Sequence, residues 1–177
     1  MSKQAYKFRL YPTRKQAQAL QWTLDRCREL YNAALQERRD AYRMAGKSIT
    51  YYDQANQLPE IKEIREDYQD IHSQVLQDVL RRVKKAFDAF FRRCTNAEEP
   101  GYPRFQGKNR YDSFCYPQGG YSLTADHRVC LSKIGSMPSD GGFRHAPEKP
   151  RGFSPGESSH VHKLSLSRYP RCGSVMM

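Results

Sequence analysis

No run of apolar residues in this sequence approaches the roughly 18 to 20 that a membrane-spanning helix needs. The start, from Met1 to Leu10, alternates polar and apolar residues and has none of the continuous apolar core of a secretory signal. Acidic residues are scarce relative to basic ones, 19 against 30, which gives a net charge of +11 and a pI of about 9.6. That balance argues against an acid-rich, self-solvating chain and favours polyanionic partners, nucleic acid first. A cytoplasmic protein with no membrane partner is expected. The cysteines, Cys27, Cys94, Cys115, Cys130 and Cys172, are odd in number and never form a C-x-x-C pair. Neither a disulfide framework nor a zinc site follows from them. Cys27 and Cys94 fall within helical patterns and read as small buried hydrophobes. No internal repeat is present, and 177 residues leave room for one ordinary domain with an extension.

Along the chain, Tyr6, Phe8 and Leu10 alternate with Lys7, Arg9 and Tyr11, the period-two signature of a half-buried strand with one basic face. Pro12 stops it. Thr13 and Gln16 stand at capping-box spacing, and Ala17, Leu20, Leu24, Cys27, Tyr31, Ala34 and Leu35 recur at three and four residues. A helix over 14–45 is expected, closed by Gly46 as a left-handed cap. Ser48 and Thr50 offer new caps for a short helix over 51–58 that Pro59 should end, with a further helical piece at 60–66. The third long signal is 71–93, where Leu76, Val79, Leu80, Val83, Phe87, Phe90 and Phe91 form one stripe. Beside it lie Arg81, Arg82, Lys84, Lys85, Arg92 and Arg93.

Breakers, aromatics and basic residues then replace the helical period. The stretch 99–111, which contains Tyr102, Arg104, Phe105, Lys108 and Arg110, suits a loop that grips a phosphate backbone while its rings stack. Residues 113–116 read as a strand, and 121–124 with 128–132 as a short-armed hairpin. The strand pattern stops near Gly135. Beyond it Gly, Pro and Ser crowd the chain, and only a weak strand-like stretch at 161–166 stands out, so little there is expected to form a core.

Several strings together resemble one known family. The segment Tyr6-Lys-Phe-Arg-Leu-Tyr-Pro-Thr-Arg-Lys-Gln16, followed by Cys27-Arg-Glu-Leu-Tyr-Asn-Ala-Ala-Leu35, is similar to the opening of OrfB/TnpB-type insertion-sequence transposases, relatives of RNA-guided nucleases. Ala86-Phe-Asp-Ala-Phe-Phe-Arg92, Gly101-Tyr-Pro-Arg-Phe-Gln-Gly-Lys108 and Leu131-Ser-Lys-Ile-Gly135 resemble later landmarks of that family, in order. The resemblance implies an α+β fold. In it a helical recognition lobe over 13–111, including a region described as helix-turn-helix, is inserted between wedge-like strands at 1–12 and 112–135 of a small, incomplete β-barrel. Residues 136–177 would be an unpatterned, disordered or out-of-frame tail.

The resemblance also implies partners: a guide RNA derived from the element and a DNA target whose adjacent short motif the protein reads. Tyr51 and Gln77 fall where the family places contacts to that motif, and a Gln amide can meet an adenine edge with donor and acceptor together. Gln118 is a weaker member of the same set. Arg81, Arg82, Lys84 and Lys85 on the third helix, with Arg104, Lys108 and Arg110 in the loop, suit phosphate contact. After Gly135 the family continues into a magnesium-dependent nuclease. Here the acids past that point, Asp140, Glu148 and Glu157, are scattered through Gly and Pro, and His127, His145, His160 and His162 lack ligand spacing. No catalytic residue, metal, cofactor or small-molecule substrate is therefore expected. The leading expectation is a truncated transposase N-terminal fragment that binds nucleic acid. The rivals are a nuclease-free regulator of transposition or transcription, and a helical interaction module using Phe87, Phe90 and Phe91. The last is weakened because that stripe should be consumed by the core.

Overall fold

The computed structural model describes residues 9–108, 110–124, 126–140, 164–168 and 175–176. It is an α+β structure. Strand β1 (Arg9–Leu10) leads to helix α1 (Arg14–Ala45), α2 (Tyr51–Ile64), a 3-10 turn (Glu66–Tyr68) and α3 (Ser73–Thr95). Strands β2 (Ser113–Tyr116), β3 (Tyr121–Thr124), β4 (Arg128–Leu131), β5 (Gly135–Pro138), β6 (Leu164–Arg168) and β7 (Val175–Met176) follow. Of the strand expected over 6–11, Tyr6, Lys7 and Phe8 lie outside the described residues, and Leu10 is fully buried.

The helix ends follow the local chemistry. The Gln16 backbone N–H donates to Thr13 Oγ1 at 3.4 Å, and the Thr13 N–H donates to Gln16 Oε1 at 3.0 Å, so each side chain satisfies one amide of the open first turn. Gly46 closes α1 in the left-handed region at φ 63°. Thr50 and Asp53 repeat the capping box on α2. Pro59 does not end that helix, contrary to the sequence reading. Proline removes one helical hydrogen bond and costs about 3 kcal/mol in a helix interior. Leu58 and Ile61, however, lie on the face that joins the core, and their burial favours carrying the helix past the proline. A buried polar lock also holds α2 on α1. Arg38 Nε donates to Gln54 Oε1 at 2.8 Å, while Gln54 Nε2 donates to the Ala34 carbonyl at 2.9 Å and to Glu37 Oε2 at 2.6 Å.

Among the described residues the strands form two antiparallel sheets and no closed barrel. One has the order β1-β7-β6-β2, with Leu10 opposite Val175 and Phe114 opposite Leu166. The other is the meander β3-β4-β5, in which Val129 faces Met137. A lone bridge between Leu10 and Ser139 ties β1 to the meander. Helix α3 packs on α1, α2 and β2, and a single core joins Leu24, Cys27, Leu76, Leu80 and Val83 of the helices to Leu10, Phe114, Val129, Met137 and Leu166 of the sheets.

The expectation that little past Gly135 forms a core is corrected here. Met137 is fully buried and Leu166 is 1% exposed. The physical reason is pairing: Leu164-Ser-Leu-Ser-Arg168, which overlaps the weak strand-like stretch at 161–166, is short and polar, yet β2 supplies a complete partner edge for it. Residues 161–163, and the rest of the tail apart from 164–168 and 175–176, lie outside the described residues. Cys27 is fully buried, as expected, and burial pushes its thiol up to about 12, which suits a packing residue. Cys94 is exposed, because it falls on the far end of α3 beyond the packed stretch. Among the described residues no helix is long and apolar enough to cross a membrane.

Candidate nucleic-acid interface

Helix α3 divides its circumference sharply. Val75, Leu76, Val79, Leu80 and Val83 are buried, while Gln74, Gln77 and Arg81 follow one another at i+3 and i+4 on the outward side. Two neighbouring elements are fastened to that side. The Arg81 guanidinium lies 5.9 Å from the centre of the Tyr51 ring, a cation–π distance, which places the first residue of α2 beside the middle of α3. Tyr51 is half-buried against the core and meets the exposed Tyr52 edge-on at 5.3 Å. At the other end, Gln74 Oε1 accepts from the backbone N–H groups of Gln118 at 3.2 Å and Gly119 at 2.9 Å. The structure thereby gathers Tyr51, Gln77, Arg81 and Gln118 along one side of α3. Gln77 is half-buried and Gln118 exposed.

The basic residues of α3 do not behave alike. Lys85 is exposed and has no carboxylate partner among the described residues. Lys84 Nζ donates to Asp88 Oδ2 at 2.6 Å, an exposed pair one helical turn apart that water and salt weaken readily. Arg82 points inward. Its Nε meets Asp78 Oδ2 at 3.0 Å, its NH1 donates to the Ser113 carbonyl at 2.7 Å, and its guanidinium sits 5.6 Å from the Tyr111 ring. Arg82 therefore clamps β2 onto α3. The charge run alone could not separate it from its neighbours, since the difference lies in which strand packs there. The aromatic stripe is only partly consumed by the core: Phe87 packs against it beneath Arg38, whereas Phe91 is 58% exposed.

The loop over 101–110 is anchored by a reciprocal amide clasp. Asn32 Nδ2 donates to the Gln106 carbonyl at 3.0 Å, and the Gln106 N–H donates to Asn32 Oδ1 at 2.8 Å. Arg104, Lys108 and Arg110 project from this anchored loop and are exposed. Arg110 shares a recess with Arg82, Tyr31 and Tyr111, and Arg104 shares one with Leu35 and Arg39 of α1, so the loop lies against both helices. The Asn32 clasp and the Arg38–Gln54 lock escaped sequence reasoning, because an Asn or a Gln on an amphipathic helix carries no mark of its partner. Among the described residues no group of three or more His, Cys, Asp or Glu side chains is placed to hold a metal ion.

Comparison with known proteins adds a likeness to this geometry. Residues 1–47 match the model of the helix-turn-helix domain of OrfB proteins of the IS605 type. The chain is 32% identical over 136 residues to a protein of Escherichia coli (strain K12) named as an RNA-guided DNA endonuclease, InsQ. That stretch covers 76% of this chain and 33% of the relative. It is 33% identical over 110 residues to a protein of Streptomyces pristinaespiralis named as an RNA-guided DNA endonuclease, covering 61% of this chain and 26% of the relative. The chain thus spans about a third or less of the length of these relatives.

Proposed function

We propose that the chain, whose N-terminal region is similar to the OrfB/TnpB-type insertion-sequence proteins, is a nucleic-acid-binding segment whose partners are a guide RNA and a DNA target. The three helices act as a recognition lobe and the strands around them as its wedge-like support. The observation that carries this reading is the outward side of α3, where Gln77 and Arg81 stand in line with the ring of Tyr51 packed against Arg81. Gln77 offers a donor and an acceptor to a base edge, and its neighbours hold it on a rigid element. Arg81, Lys84, Lys85, Arg104, Lys108 and Arg110 contact phosphates and set position. Gln118, carried on the turn pinned by Gln74, adds a second amide to the base-reading set. Arg82 serves these contacts from inside by fixing β2. The 177 residues contribute binding and no cleavage chemistry of their own. Two-metal cleavage needs carboxylates gathered on one scaffold, and the wide spacing of Asp140, Glu148 and Glu157 in the sequence supports that reading.

The test is a salt series of equilibrium binding to a structured RNA and to a duplex. Lys84→Ala with Lys85→Ala should lower the log–log salt slope by roughly one unit for each phosphate no longer neutralised, for all sequences alike. Gln77→Ala should cost on the order of 1 to 3 kcal/mol on a preferred sequence while leaving the slope nearly unchanged. Identical curves for wild type and the double lysine variant would remove α3 from the interface. Metal-dependent cleavage of DNA by this chain alone would overturn the assignment of binding without chemistry.

A further inference from the structure

A recess of about 430 Å³ opens between α1 and the loop over 101–110, away from the outward side of α3, and it is lined by Leu35, Arg39, Tyr102, Pro103, Arg104 and Phe105. Leu35 is buried and gives the recess an apolar floor. Tyr102 and Phe105 are 45% and 43% exposed, unusually open for large rings fixed in a structured loop. They are fixed from two directions. Tyr102 meets Phe87 at 5.8 Å and Phe90 at 5.4 Å, both edge-to-face, and the Asn32 clasp holds the backbone at Gln106, next to Phe105. Arg39 and Arg104 are exposed and enter no ion pair or hydrogen bond among the described residues. Asp40, next to Arg39 in sequence, accepts from Gln36 Nε2 at 2.6 Å.

Prearranged rings beside two uncommitted guanidinium groups suit a base with its flanking phosphates. We propose that this recess takes one unpaired nucleotide of a single strand, its base stacking on Phe105 or Tyr102 and its phosphates meeting Arg39 and Arg104. A base locked in a duplex has no free face to offer, so the recess discriminates single from double strands. Stacking uses the face common to every base, so the recess is tolerant of sequence, unlike Gln77. The inference rests on the same nucleic-acid-binding reading, to which Arg104 already belongs, but its deciding ring, Phe105, lies outside the residues assigned there.

The experiment is fluorescence anisotropy of labelled dodecauridylate, dodecathymidylate and a blunt duplex, with wild-type chain and with Phe105→Leu, Tyr102→Leu, Arg39→Gln and Arg104→Gln. Removing either stacking ring should weaken single-strand binding roughly fivefold to a hundredfold and leave duplex binding unchanged. Removing either arginine should lower the salt slope for the single strands. Tighter binding of the uridylate than the thymidylate identifies RNA as the source, and equal binding identifies a strand of either sugar. Tyr102 also packs on Phe87 and Phe90, so Phe105→Leu, which disturbs no ring pair among the described residues, carries the decision if Tyr102→Leu lowers the melting temperature. A drop confined to single strands in Phe105→Leu sustains the recess even where the Lys84, Lys85 double variant has no effect. Wild-type single-strand affinity in both Phe105→Leu and Arg104→Gln overturns it, whatever α3 does.

Discussion

Replacing Leu166 by Ala is the sharpest probe of the C-terminal strands. Leu166 lies opposite Phe114, is 1% exposed, and belongs to the core that Leu10, Phe114 and Met137 share with the helices. Truncating it loses the transfer free energy of the removed carbons and leaves a cavity that a sheet pinned on both sides closes only in part. Leucine-to-alanine changes at such positions cost about 2–5 kcal/mol, and about 3 is expected here. For a chain of this size that loss lowers the melting temperature by roughly 6–12 °C. Leu123→Ala is the control, because Leu123 is 47% exposed on β3 and should cost well under 1 kcal/mol, within about 3 °C. Thermal melts by circular dichroism, with calorimetry to check two-state behaviour, read both changes. If the two variants melt together at the wild-type temperature, Leu164–Arg168 lies outside the cooperative unit, and the reading of an unpatterned tail returns.

Two further outcomes follow from charged groups. His72 caps α3, its Nδ1 accepting from the Gln74 N–H, and it faces Lys62 of α2, Lys133 of the β4–β5 turn and the ring of Tyr116. Burial, then the two lysines, hold its imidazole below the ordinary histidine range. The unfolded chain therefore binds the proton more readily. The contribution of neutral His72 is complete above its unfolded pKa and is lost as pH falls through the lower folded value. His72→Asn keeps a cap that does not titrate, so its stability should fall less than the wild type's between pH 7.5 and pH 5, and parallel curves would refute the argument. Arg82→Met should cost about 3 kcal/mol by urea denaturation, because Asp78 keeps only 8% of its side chain exposed and loses its cation. Lys84→Ala breaks a pair that is 51% and 56% exposed and should stay under about 1 kcal/mol, so equal losses would show that Arg82 is no clamp.

What the sequence made legible was local. The Thr13–Gln16 box, the Gly46 cap and the period of Leu20 to Leu35 set α1 at its observed ends, since each signal acts within a few residues. The hairpin of 121–124 with 128–132 was readable for the same reason, its second arm ending one residue earlier at Leu131. Pro59 misled because a proline's cost is local while its compensation, the burial of Leu58 and Ile61, is tertiary. Leu166 fell in the weak strand-like stretch over 161–166, but its burial depends on β2, far away in sequence, whereas Met137 was missed although its partner Val129 lies on the adjacent strand. The candidate site divided likewise. The stripe on α3 and the exposed basic loop could be read from spacing and composition, but only the packing of β2 and α1 separates the inward Arg82 from the outward Arg81, or reveals Asn32 beneath the loop.

The pairing of Leu10 with Val175 also sets a timetable for assembly. Every helix forms through neighbours in sequence, whereas the outer sheet needs its first strand to find its last, and long-range closures are slow even when their entropic cost grows only with the logarithm of the loop. The helical surface can therefore take shape while the sheet beneath it is still open. In a chain growing from its N terminus, the side of α3 proposed to meet nucleic acid would be present before the strands that later brace it, and on that proposal an RNA already in reach would meet a partner still being built.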